Sequence, residues 1–122
     1  MKIQESAEDY LEAILHLSKK NEFVRSIDVV HHLGYSKPSV SVYLKNLRVN
    51  GYISVDSDGH ITLTDSGMEI ARRIDQRHEM LANILIKLGV SKEVAYEDAC
   101  GMEHHISDES FNALKNYFEG LA

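Results

Sequence analysis

Between Gly34 and Thr64 the chain reads "GYSKPSVSVYLKNLRVNGYISVDSDGHITLT", and this stretch narrows the choice of fold more than any other. Ser36 is placed to cap a helix, and Pro38 fits its first turn, where a missing N–H leaves no hydrogen bond unmade. Val40, Leu44 and Leu47 follow at i, i+4 and i+7, which gives the helix one apolar, inward face. Asn50-Gly51 stops it. Two β-rich runs follow at 52–55 and 60–64, joined by a turn around Asp58-Gly59. A capped helix running directly into a hairpin is local punctuation that few folds share.

Two further helices precede it. Residues 6–19 place Ala7, Tyr10, Leu11, Ile14, Leu15 and Leu17 on one stripe, with Ser6 as the expected N-cap. Residues 26–32 form a short helix expected to bury Ile27, Val30 and Leu33 and to end at Gly34, a residue that tolerates positive φ. Three helices and then a hairpin is the order of a winged helix-turn-helix, in which the third helix enters the major groove of DNA. Its outer face offers Ser39, Ser41, Val42 and Lys45, with Ser36, Lys37 and Pro38 at its start. Hydroxyls and a lysine suit phosphates, and the valine methyls suit thymine. No Arg or Asn stands near the helix start for a bidentate base contact, so readout rests on half-site spacing and DNA shape. The competing use of such a module is a protein contact.

Charge bears on that choice. The net charge of −6 speaks against nucleic acid, but the charge is unevenly spread. Residues 24–51 hold Arg25, Lys37, Lys45 and Arg48 against Asp28 alone, a locally basic segment in an acidic chain. No apolar run reaches the roughly 20 residues a membrane helix needs. "MKIQESAEDY" has no signal-peptide core, so the cytoplasm is the expected location. The single cysteine, Cys100, fits a reducing compartment.

Downstream, helices are expected over 65–88, 92–105 and 108–118, the last capped by Ser107. The stripe of the long helix runs through Ala71, Ile74, Leu81, Leu85 and Leu88. The fold class is therefore mainly α with a small β-hairpin. A winged helix-turn-helix domain over 1–70 precedes a helical domain over 71–122. Ile84, Leu85, Leu88, Val94, Leu114, Tyr117 and Phe118 are a generous apolar set for so short a region, which points to a homodimer.

The stretch "DACGMEHH" carries the metal chemistry. On a continuous helix, Cys100, Glu103 and His104 sit at i, i+3 and i+4 and project from one face. Thiolate, carboxylate and imidazole in one turn make half a transition-metal site. The bland alternative is a surface Glu-His pair beside a buried structural cysteine. Asp9 and Glu12, at the border of the first helix's apolar stripe, read singly as a solvated edge, and His78 as a packed or exposed histidine.

The order "EDYLEAI", winged helix, "RHEML", "DACGMEHHISDE" resembles the DtxR/MntR family of metal-dependent transcriptional repressors over nearly the whole chain. The resemblance implies a helical metal-binding and dimerisation domain after the DNA-binding domain, and metal bound where the first helix meets that second domain. Carried over position by position, the ligands are Asp9, Glu12, His78, Cys100, Glu103 and His104. With Ala122 as the last residue, the sequence resembles the shorter manganese-sensing members, without the SH3-like third domain of the iron-sensing branch. Asp9 and Glu12 follow the manganese-sensing pattern, whereas Cys100 follows the iron-sensing one. Ala82 and Tyr96 stand where the iron branch has ancillary ligands. Oxygen donors favour Mn(II), and the thiolate moves preference toward Fe(II), Co(II) or Zn(II). The expected cofactor is thus Mn(II) or Fe(II), with one or two ions per subunit.

The function expected is a metal-activated repressor of metal-uptake genes, binding a palindromic double-stranded operator as a homodimer, with no small organic substrate. Two other classes compete. A metal-independent winged-helix regulator with a decayed site predicts that Cys100 and His104 are dispensable for DNA binding. A small metalloenzyme needs an open coordination position and a nearby base. Six protein ligands leave little room for that, so no enzyme is expected.

Overall fold

The computed structural model describes residues 5–120, as six helices and one hairpin. The elements are α1 (Glu5–Lys20), α2 (Ser26–Leu33), α3 (Lys37–Val49), β1 (Ile53–Val55), β2 (Ile61–Leu63), α4 (Asp65–Lys87), α5 (Lys92–Met102) and α6 (Asp108–Glu119). They fall into two compact units, one ending at Arg72 and the other beginning at Arg73, so α4 contributes its first two turns to the first unit.

In the first unit the capping signals do what the sequence predicts. Ser36 caps α3, its Oγ accepting the N–H of Ser39 at 3.3 Å, and Pro38 lies in the first turn. Gly34 closes α2 at φ 74°, donating its N–H to Val30 at 2.8 Å. The β-strands pair antiparallel with Ile53 opposite Leu63 and Val55 opposite Ile61. Ile61 N–H also reaches the carbonyl of Val24 at 2.7 Å, which ties the hairpin to the α1–α2 connection. Val40, Leu44 and Leu47 of α3 join Leu11, Ile14, Val29 and Ile53 in one core. Each fully buried side chain of this size contributes on the order of 1.5–3 kcal/mol. This is the winged helix-turn-helix expected, and the residues offered to DNA lie on its surface: Lys37, Pro38, Ser39, Ser41 and Lys45 are exposed, as is Val42.

Three local expectations need correction. Ser6 lies inside α1, which is helical from Glu5, so it is not the N-cap. In α2 the buried residue is Val29, and Ile27 is exposed: an eight-residue helix with apolar side chains on several faces leaves its inward side undetermined by periodicity. In α4, Ile84 is buried while Leu88, just past the helix end, is 65% exposed.

The second unit packs Leu81, Ala82 and Ala99 with Tyr96, Ile106, Phe111 and Leu114. Small residues at 82, 95 and 99 let helices approach closely, and all three are at most 0% exposed. Ser107 caps α6 as predicted, its Oγ accepting the N–H of Ser110 at 3.1 Å, with Asp108 and Glu109 in the positive first turn. Helix α5 departs from expectation. It ends at Met102, and residues 103–105 form a turn closed by the N–H groups of His105 and Ile106 on the Met102 carbonyl, both at 3.1 Å.

Candidate metal centre

The early end of α5 reshapes the cluster predicted from "DACGMEHH". Cys100 is helical, Glu103 is the C-cap residue, still in right-handed helical conformation with its N–H on the Ala99 carbonyl at 3.0 Å, and His104 belongs to the turn that follows. The cluster centres on Glu103. Its side chain is wholly buried, with Oε2 at 2.8 Å from His78 Nδ1 on α4 and Oε1 at 3.2 Å from His104 Nε2. His78, Cys100 and Glu103 each offer a donor atom within 4.8 Å of the others. Nitrogen, sulfur and oxygen donors at that separation suit a divalent transition ion. Cys100 is exposed and free of any disulfide, which rules out the buried structural cysteine as its alternative. His105 is exposed.

A buried carboxylate is costly unless charge or hydrogen bonds offset it. Two imidazoles flank this one, and two residues outside the expected ligand set, Arg77 and Tyr96, hold the surroundings. Arg77, 8% exposed, donates from Nη1 to the carbonyl of Ile106 at 2.9 Å and more distantly to that of Glu103 at 3.5 Å. Its Nη2 pairs with the carboxylate of Asp108, and its guanidinium lies 5.2 Å from the Phe111 ring centroid. Arg77 thus fastens the 103–106 turn to α4. Tyr96 packs against the His78 ring at 5.5 Å and donates its hydroxyl to Glu79 at 2.9 Å. That hydrogen bond, with burial second, raises the Tyr96 pKa. The available signal was adjacency: Arg77 and Glu79 bracket His78 in "RHE".

In the first unit, Asp9 and Glu12 stand on α1. Glu12 is 8% exposed, so it is not the solvated edge that its sequence neighbourhood suggested; Asp9 is half-buried. Two of the DNA-binding candidates, Ser41 and Lys45, line one groove. A groove of about 440 Å³ runs between α3 and the hairpin, lined by Ser26, Ser41, Lys45, Arg48, Val55 and Gly59. Arg48, three residues after Lys45 and so on the same helical side, also lines this groove.

Two family models match in succession. "Iron dependent repressor, N-terminal DNA binding domain" covers residues 2–61, and "Iron dependent repressor, metal binding and dimerisation domain" covers residues 64–122. The transcriptional regulator MntR of Escherichia coli O157:H7 is 38% identical over 112 residues, 92% of this chain and 72% of that protein. The HTH-type transcriptional regulator MntR of Bacillus subtilis (strain 168) is 33% identical over 117 residues, 93% of this chain and 82% of that protein. Among solved structures, a manganese-dependent transcriptional repressor in complex with manganese superposes with a TM-score of 0.83 at 26% identity, covering 91% of this chain and 51% of that one. The T. acidophilum IdeR crystal structure gives 0.80 at 26%, covering 98% and 55%. The chain spans about half the length of these solved structures. The relatives named here are regulators, and none gives the metalloenzyme alternative a counterpart.

Proposed function

The chain belongs to the iron dependent repressor family, with both its DNA binding domain and its metal binding and dimerisation domain, and we propose that it is a transcriptional repressor switched on by Mn(II) or Fe(II). The proposed ligands are Asp9 and Glu12 from α1 with His78, Cys100, Glu103 and His104 from the second unit. The observation that carries this reading is the buried Glu103 carboxylate set between two imidazoles with the Cys100 thiol in reach. Such a donor set suits a cation, because a fixed, buried carboxylate beside imidazole nitrogens is stabilised by added positive charge.

When bound, a divalent cation supplies the positive charge that lets these carboxylates approach one another. Asp9 and Glu12 then fix α1, and with it the helices that pack on it. Ser36, Lys37, Pro38, Ser39, Ser41, Val42 and Lys45 meet the operator, hydroxyls and lysines on phosphates and Val42 on a thymine methyl. In a homodimer with two-fold symmetry, two such helices enter successive major grooves about 34–36 Å apart, which calls for a palindromic site. Regulated genes of metal uptake and a cytoplasmic site of action complete the proposal; among the described residues no helix is long and apolar enough to cross a membrane.

The test is DNA affinity in Mn(II), Fe(II), Co(II) and Zn(II), each against chelator, under anaerobic reducing conditions. The metal acts by binding the DNA-competent state more tightly, so affinity rises by roughly 5- to 150-fold on metal addition. Affinity that ignores metal would return the chain to the metal-independent alternative.

A further inference from the structure

The first unit contains a link between α1 and the DNA-facing helix that the ligand set alone does not require. Tyr10 is 2% exposed and lies face to face on Tyr43 of α3, with ring centroids 4.5 Å apart and planes 5° from parallel. Tyr35, the residue before the α3 N-cap, also packs on Tyr10, with ring centroids 6.0 Å apart and planes at 42°. α1 otherwise packs chiefly on α2 and β2, and α3 on α2 and β1. One buried ring on α1 therefore touches both the body of α3 and the turn that sets its start.

Position on the helix gives the stack its significance. Asp9 is the residue before Tyr10 and Glu12 the second after it, so the two carboxylates and the ring share a single turn of α1. A rigid turn cannot shift its carboxylates without shifting the ring. Tyr43 in turn lies between Val42, which is exposed, and the buried Leu44. Its neighbour one turn back is Ser39, hydrogen-bonded through its hydroxyl to Ser36 at 2.9 Å. Burial, then Tyr35 and Tyr43, raise the pKa of the Tyr10 phenol, so the ring stays neutral at ordinary pH.

We infer that the Tyr10–Tyr43 stack, with Tyr35 beside it, transmits the metal-dependent placement of α1 to the DNA-reading helix, making Tyr43 a positioning residue for operator binding. This rests on the proposal that Asp9 and Glu12 are metal ligands. Tyr43 itself touches neither metal nor DNA in this scheme. What it changes is the coupling between the two.

The measurement is a ratio. A duplex is recovered from a random-sequence pool by the wild-type chain in Mn(II), and its affinity is measured for each variant with Mn(II) and with chelator. Mn(II) affinity of the DNA-free chain is measured alongside. For Tyr43→Ala the ratio of the two DNA affinities falls between about two- and tenfold, the size of an aromatic pair's worth, while Mn(II) affinity without DNA is retained. Tyr43→Phe keeps the stack and the wild-type ratio. Tyr43→Leu, which keeps apolar volume without a ring, guards against an unfolded alanine variant and loses the ratio as well. Equal losses with and without Mn(II), leaving the ratio unchanged, would make the stack mere packing and overturn the inference. A wild-type ratio of one would instead strike the ligand proposal, and the inference with it.

Discussion

Glu103 Oε2 lies 2.8 Å from Nδ1 of His78, twenty-five residues earlier in the chain, and the glutamate side chain is wholly shielded from solvent. A carboxylate in that position is tolerated because imidazoles flank it on both oxygens. Glu103→Gln keeps the shape and removes the charge. Mn(II) affinity by titration calorimetry should drop by at least about tenfold, as for groups that tune a metal site, while the metal-free chain melts no earlier. Undiminished Mn(II) binding would take Glu103 out of the ligand set.

Arg77→Lys tests how the centre is held. A lysine cannot reproduce the planar fork that serves the Ile106 carbonyl and Asp108 together, nor its stacking on Phe111. Because Asp108 is largely exposed, most of the loss comes from the buried carbonyl contacts, about 1.5–3 kcal/mol for hydrogen bonds to a charged group. Urea unfolding should show that loss, and Mn(II) affinity should weaken although no ligand has changed. Full stability with full metal affinity would show that the 103–106 turn needs no anchor.

These two residues also mark what the sequence could and could not disclose. The stretch from Ser36 to Leu63 was legible because its signals are local: a cap, a first-turn proline, an i, i+4, i+7 stripe and a glycine-bearing turn. Helix α5 was overextended to His105 because nothing local stops it. Its end is met by Arg77, twenty-six residues away from Glu103, and a contact of that range leaves no mark on periodicity. The residue types of the cluster stand in the sequence, but that His78 of α4 reaches the Glu103 carboxylate does not. Glu12 shows the same limit, since burial of a carboxylate at a stripe's border is decided by what packs there.

Gly67→Ala gives a test in which propensity and packing predict opposite signs. Within a helix alanine is favoured over glycine by about 1 kcal/mol. Here a Cβ on Gly67 would run into the backbone carbonyl of Tyr52, which also accepts the N–H of Thr64 at 3.1 Å and cannot give way as a flexible side chain would. Net destabilisation of about 1–3 kcal/mol is expected in thermal or urea unfolding. A more stable variant would show that α4 can move off the hairpin without loss.

The hairpin turn carries its own pH dependence. The Asp56 carboxylate accepts the N–H groups of His60 and Asp58, each at 2.9 Å, and pairs with the His60 ring at 3.1 Å. The His60 N–H contributes most to lowering the Asp56 pKa, and the Asp58 N–H and the His60 ring add to it. A depressed carboxylate stabilises the fold fully above its unfolded value, near 3.9, and that contribution is lost as pH falls through the lower folded value. Amide protection factors at Asp58 and His60, corrected for the intrinsic exchange rate at each pH, should therefore stay high at neutral pH and fall only below about pH 4. In Asp56→Ala those factors should be low throughout, and a turn equally protected in that variant would remove the carboxylate from this role.

Under the proposed ligand set, metal choice turns on Cys100. Its exposed thiol stands within 4.8 Å of donor atoms on His78 and Glu103, so under the proposed ligand set it is the one soft donor among oxygens and imidazoles. Thiolate strengthens binding of Fe(II), Co(II) and Zn(II) relative to Mn(II), whereas a carboxylate gives a harder site. Cys100→Glu should move the order of affinities toward Mn(II), with the gain read as the ratio of Mn(II) to Co(II) affinity in competition titrations. Co(II) adds a direct signature: the wild-type complex should show the thiolate-to-metal charge-transfer band, and the variant should lack it. If the band is absent from wild type and the ratio does not move, Cys100 lies outside the site and the remaining five residues must account for metal preference.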